Sequence, residues 1–173
     1  MRNFEVKPRS NRENEEVKVI VYAKGLNSKG EINRKELMKE LHTTNNIFSK
    51  IFKFKVENKE LFGIFKEIQL HPITESVVHA DIMVINENTK FQIPAKVQVE
   101  GANSCQAIKE GGILFLPKKT VNIICNSIED AVDHIVVNVS HLQKGHTITT
   151  GDLNLKNISF EKSNIALVSI LKE

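Results

Sequence analysis

Apolar and polar residues alternate along most of this chain, the period-two signature of strands with one buried face. The run VKVIVYA (17–23) is β-branched and bounded by the turn-like KGLNSKG, which predicts a strand followed by a turn. Asn33 then precedes RKELMKEL, with Glu36 three residues on and Leu37 and Leu41 at i and i+4. A short amphipathic helix with an Asn cap is expected there. In IFKFKVE (51–57), Phe52, Phe54 and Val56 alternate with Lys53 and Lys55, and with LFGIFKEIQ (61–69) this run reads as a hairpin. His71 and Pro72 break the second strand, and VVHADIMVI (77–85) supplies another. The first sixteen residues read differently, as a polar arm carrying Arg2, Lys7, Arg9 and Arg12 and then Glu13, Glu15 and Glu16.

The polar stretch NENTK (86–90) is the expected boundary between a domain at 1–89 and a second at 90–173. Beyond it the chain is strand-like throughout. FQIPAKVQV alternates from Phe91 to Val99, with Pro94 favouring an edge or bulge position. GGILFLP, TVNIICN, HIVVNVS, TITTGDL and NIALVSIL follow, separated by Gly, Asn, Asp or Pro, a spacing that predicts a β-sandwich or barrel. The pattern predicts a mixed, mostly β domain with one helix, then an all-β domain.

Composition narrows the function classes only slightly. Apolar residues make up 40% of the 173 and charged residues 26%, as in a folded globular chain. No stretch approaches the roughly 18 to 20 apolar residues of a membrane-spanning helix. The N-terminus has no apolar central region of a secretory signal, so a cytoplasmic location is expected and no membrane partner. Cys105 and Cys125 lack C-x-x-C spacing and a neighbouring histidine, which argues against a zinc site and for reduced, partly buried thiols. A net charge of +3 permits a nucleic-acid partner without pointing to one.

The segment VVHADIMVI carries the chemistry. Alternation gives Val78, Ala80, Ile82 and Val84 one apolar face and sets His79 and Asp81 side by side on the other, flanked by Val77 and Met83. Three readings stand at this point: a solvated outer face; a catalytic His–Asp pair, for which the chain offers no G-x-S-x-G nucleophile; and a surface that reads RNA. In the last, His79 bonds or stacks, and Asp81 accepts from a base amine or a 2′-hydroxyl. The first strand has the same design, with Val17, Val19, Val21 and Ala23 inward and Lys18, Ile20, Tyr22 and Lys24 outward. There Tyr22 would stack while the lysines meet phosphates. Gly111-Gly112 lacks the G-K-[ST] ending of a phosphate loop and reads as a bend, and His141 and His146 read as surface residues.

Together these segments resemble the bacterial ribosomal protein L-twenty-five, or general stress protein Ctc, family over nearly the whole chain. The resemblance is carried by VIVYAKG, KEIQLHPITESVVHADIMVI, KFQIPAKVQVEGA, EGGILFLPKKTVNIIC and VVNVSHLQKGHTITTGDLNL. It implies a mainly β protein: an N-terminal six-stranded or similar barrel with one or two short helices, which binds 5S rRNA, followed by an all-β C-terminal domain. It implies no catalysis, no cofactor and no small-molecule substrate. The implied partners are 5S rRNA and neighbouring large-subunit proteins, the chain being a monomer away from the ribosome. The contact residues it implies are Arg9 and Arg12 of the arm, Tyr22, Gln69 and His71 of the Gln-x-His-Pro element, and His79 with Asp81. The Gly-Lys pair and the richer arginine run of the family's arm are missing here, so weaker RNA binding is expected than for a typical member. A second reading makes the chain a stress-related interaction protein acting through its C-terminal β domain.

Overall fold

The computed structural model of the protein describes residues 3–9, 15–23, 26–44, 46–56, 59–86, 89–153, 155, 157–162 and 164–171. The chain forms two compact units, Met1–Thr89 with Ser127–Ala131, and Lys90–Asn126 with Val132–Glu173.

Six strands close the first unit into a barrel: β1 (Asn3–Pro8), β2 (Glu16–Ala23), β3 (Leu26–Asn33), β4 (Phe52–Val56), β5 (Lys59–Leu70) and β6 (Val77–Ile85). Around the barrel the order is β1-β3-β2-β6-β5-β4. β2 and β6 pair in parallel, β1 and β4 do the same, and the other neighbours are antiparallel. Inward positions follow the period of two. Val17, Val19 and Val21 come from β2, Phe52, Phe54 and Val56 from β4, and Ala80, Ile82 and Val84 from β6, and all are buried. Helix α1 (Arg34–Thr43) follows β3. The Asn33 side chain accepts hydrogen bonds from the backbone N–H groups of Lys35 and Glu36, and Leu37 is fully buried in the same apolar cluster as the barrel interior.

Three expectations need correction. The amino-terminal segment is not an arm over residues 3–8: it is β1, and it is the strand that closes the barrel. Phe4 and Val6 are buried between exposed Asn3, Glu5 and Lys7. Phe4 meets Phe52, Phe54 and Phe65, with ring centroids 5.4, 5.8 and 5.6 Å away. An alternation of only two apolar residues is too short to stand out from a polar stretch, yet burying the Phe4 ring offsets the cost of ordering the strand. The supposed turn 24–30 is β3 from Leu26 onward. Gly30 faces inward there, because a Cβ would meet the Val6 side chain and come within 2.9 Å of the Lys7 carbonyl oxygen. Finally, Val78 is not in the core. Leu70 pairs with Val77 but Gln69 with His79, so Val78 is an extra bulged residue. It is 48% exposed, and Val77 takes the inward position at 0%.

The second unit contains β7 (Phe91–Glu100), α2 (Gln106–Lys109), β8 (Ile113–Phe115), β9 (Thr120–Cys125), β10 (His134–Asn138), β11 (Thr147–Thr149), β12 (Ile158–Phe160) and β13 (Ala166–Leu171). These strands form two sheets, β10-β7-β9-β12 and β11-β13-β8. β10 runs beside β7 only from Lys96 onward, so Pro94 lies where β10 is not alongside. Gly111-Gly112 ends α2. Gly111 has φ 91° and donates to Ile108 O, and Gly112 donates to Ala107 O, the Schellman pattern of a helix end. Cys105 and Cys125 are free, buried thiols, and His141 and His146 are exposed.

If β1 closes the barrel through Phe4, Phe4→Ala should destabilise this unit by about 3–5 kcal/mol, the range for emptying a buried aromatic site. Lys7→Ala, on the exposed side of the same strand, should stay within about 0.5 kcal/mol of wild type. Urea unfolding followed by the fluorescence of Tyr22, the one tyrosine in a chain without tryptophan, measures both. Equal effects from the two changes would mean that residues 3–8 are an arm after all.

Candidate nucleic-acid interface

The barrel exterior acquires its polar patch from two backbone irregularities and one parallel pairing. β2 sits between β3 and β6. Its register places Lys18 opposite His79, Ile20 opposite Asp81 and Tyr22 opposite Met83. On the far side of β6, Gln69 lies opposite His79 and Glu67 opposite Asp81. Lys18, Tyr22, Gln69, His79 and Asp81 therefore occupy neighbouring positions on three adjacent strands.

The β5 positions depend on a bulge. Phe65 is fully buried, so uninterrupted alternation would turn Glu67 and Gln69 inward as well. Phe65 pairs with Ile82 but Glu67 with Asp81, which makes Lys66 the extra residue. The face reverses after it: Ile68 packs against the core cluster, and Glu67 and Gln69 are exposed.

Hydrogen bonding orients these groups. His79 Nδ1 lies 3.2 Å from Asp81 Oδ1, both side chains partly exposed at 22% and 33%. A ring nitrogen turned toward a carboxylate keeps its proton there, so that whenever the ring is neutral Nε2 is its acceptor. Gln69 Nε2 donates to Glu67 Oε1 at 2.9 Å. Burial raises the Tyr22 phenol above its ordinary 10.0, and the negative charges of Asp81 and Glu67 raise it further. The phenol therefore stays a neutral donor at physiological pH. Cationic residues border the patch. Lys18 is on β2, and Lys29 of β3 lies opposite Ile20. Pro8 lies opposite Gly30, so the exposed Arg9 leaves β1 at the end of the row Lys29–Ile20–Asp81–Glu67.

The remaining expected site residues fare differently. His71 is in the loop between β5 and β6, outside these rows. Its Nδ1 accepts from the backbone N–H groups of Ile73 and Thr74 at 3.3 and 3.2 Å, and its own backbone bonds to Ser76 and Glu75 close the turn. It holds the loop's shape. Arg12 and Lys24 lie outside the described residues. Glu67 was missed by the sequence reading, although it stands two residues before Gln69 and so shares its face. Among the described residues, no group of His, Cys, Asp or Glu is arranged to hold a metal ion, and no helix is long and apolar enough to cross a membrane.

Comparison with known proteins bears on both units. Residues 2–82 match the model of the ribosomal L25p family, and residues 90–173 match that of the C-terminal domain of ribosomal protein TL5. The large ribosomal subunit protein bL25 of Wolinella succinogenes is 32% identical over 157 residues, covering 88% of this chain and 84% of the relative. Its namesake from Ehrlichia chaffeensis is 26% identical over 159 residues, or 90% and 75%. That of Bacteroides fragilis is 30% identical over 119 residues, or 68% and 58%.

The charges around Tyr22 make a spectroscopic prediction. Phenolate absorbance should report a midpoint above 10, and Asp81→Asn should move it down by removing one of the two opposing charges. Because the fold favours the protonated phenol, this contribution to stability is intact below pH 10 and lost as the pH rises through the raised value. An unchanged midpoint in Asp81→Asn would separate Tyr22 from the His79–Asp81 pair.

Proposed function

The chain belongs to the L25 family of large-subunit ribosomal proteins, and on that premise we propose that its barrel binds 5S rRNA through the β2–β6–β5 face. Family membership supports a structural, non-enzymatic role in the large subunit. The more specific reading rests on one observation. The pairing of β6 with β2 on one side and with β5 on the other gathers Tyr22, Lys18, His79, Asp81 and Gln69 on one surface of a closed barrel.

That surface suits RNA because of what each group can do. A-form RNA offers side chains a wide, shallow minor groove lined with 2′-hydroxyls and base edges, whereas its major groove is too deep and narrow for them to read. A gently curved barrel wall fits against such a groove. Tyr22 presents a ring for stacking, and His79, Asp81 and Gln69 present hydrogen-bonding atoms. Lys18, Lys29 and Arg9 stand at the border, where phosphates would pass. Arg12 and Lys24 belong to the same proposal by sequence position, and His71 supports it indirectly by shaping the loop next to Gln69. With few cations involved, binding should weaken with salt less steeply than for strongly basic proteins. Away from the ribosome the chain would be a cytoplasmic monomer, and on it neighbouring large-subunit proteins are the expected further contacts.

His79→Ala and Asp81→Ala should each reduce affinity for 5S rRNA about 10- to 100-fold in a gel shift, corresponding to roughly 1.5–3 kcal/mol for a hydrogen bond to a charged group. Circular dichroism should remain that of wild type, since both side chains lie outside the core. Wild-type affinity in both variants would remove this face from the interface.

A further inference from the structure

Within the RNA-binding reading, on which the following rests, the hydrogen-bonding polarity of the face has a direction. Gln69 carries a donor end and an acceptor end, and at typical protein surfaces either can turn outward. Here it cannot choose freely. A carboxylate only accepts, so the group that Gln69 offers to Glu67 at 2.9 Å must be its nitrogen. That bond uses one of the two amide hydrogens and leaves the carbonyl oxygen for a ligand. The same holds for His79, whose Nδ1 faces Asp81 and whose Nε2 is left as an acceptor in the neutral ring. Neither carboxylate donates. The register sets Gln69 beside His79 and Glu67 beside Asp81, so these acceptors form one contiguous array.

We propose that this array selects minor-groove positions of RNA that present hydrogen-bond donors, and that Glu67 is the positioning residue that fixes the Gln69 amide with its carbonyl oxygen free to accept. In the minor groove the available donors are the exocyclic amine of guanine and the ribose 2′-hydroxyl. Glu67 and Asp81 also repel phosphate, so close approach is disfavoured wherever such donors are not in place to compensate. Selectivity thus comes partly from a repulsive element. The signature of Glu67 is therefore discrimination more than affinity. Glu67→Gln removes a charge that opposes phosphate and leaves Gln69 free to turn either end outward.

The test begins with chemical footprinting of the full-length protein on 5S rRNA. Synthetic fragments spanning the footprint then carry, one at a time, inosine for guanosine or 2′-deoxyribose for ribose, each deleting one donor. For wild type, at least one such deletion should weaken binding tenfold or more, and the inosine and deoxy arms identify which donor is read. In Glu67→Gln the same deletion should cost less than threefold. Deletions that all stay within threefold for wild type would overturn the proposal. So would an equal penalty in wild type and Glu67→Gln, which would leave Glu67 without a positioning role. Absence of any footprint would be seen before a donor is deleted, and would overturn the RNA-binding reading itself.

Discussion

Closure of the barrel by β1 is the constraint on which the rest of the first unit depends. β4 and β3 follow each other in sequence only after a helix and a loop, and they are not neighbours in the barrel. β1 bridges them, pairing in parallel with β4 and antiparallel with β3. The contact that holds it is aromatic. Phe4, Phe52, Phe54 and Phe65 all meet one another, with centroids between 5.3 and 6.4 Å apart. Around these rings the backbone must come close in places. Gly63 lies against the Phe54 ring, where a Cβ would come within 3.0 Å, and Gly30 takes the corresponding position beside β1.

A filled, closed interior makes the exterior dependable. Tyr22 and His79 stand where their strands are paired on both sides, and Gln69 is paired with His79, so the spacing between the three is set by backbone registry and not by loop conformation. Sites on rigid elements hold their geometry more closely than sites on loops. The two bulges, at Lys66 and Val78, are part of this arrangement. The first turns Glu67 and Gln69 out without exposing Phe65, and the second keeps Val77 in the core while the chain enters the loop shaped by His71.

The placement of two carboxylates in the middle of a proposed RNA surface is the reverse of a simple basic patch. It accords with the modest net charge of +3 and separates two tasks. In the proposed interface, cations at the border would supply attraction that is indifferent to sequence, while central acceptors would admit only a groove that offers them donors. The raised proton affinity of Tyr22 belongs to the same arrangement, because burial and then the charges of Asp81 and Glu67 disfavour the phenolate.

Much of this was legible in the sequence, because strand periodicity and helix capping are local properties. The β2 and β6 runs, the Asn33 cap, and the outward placement of His79 with Asp81 and of Lys18 with Tyr22 could all be read from the order of side chains. The motif pattern also pointed to the family that the comparisons show. What the sequence could not supply was partnership. Phe4 and Val6 look like stray apolar residues in a polar arm until β4 lies beside them, and Leu26–Asn33 looks like a turn until β2 and β1 flank it. Alternation assigns faces only while it is unbroken, and a bulge is visible only from the partner strand. For that reason the face of Val78 is legible only in the folded barrel. The sequence by itself determined which residues could stand on a surface and what chemistry they could offer. The tertiary structure decided which of them stand together, because pairing β2 with β6 across some sixty intervening residues is a property of the closed barrel and of no local segment.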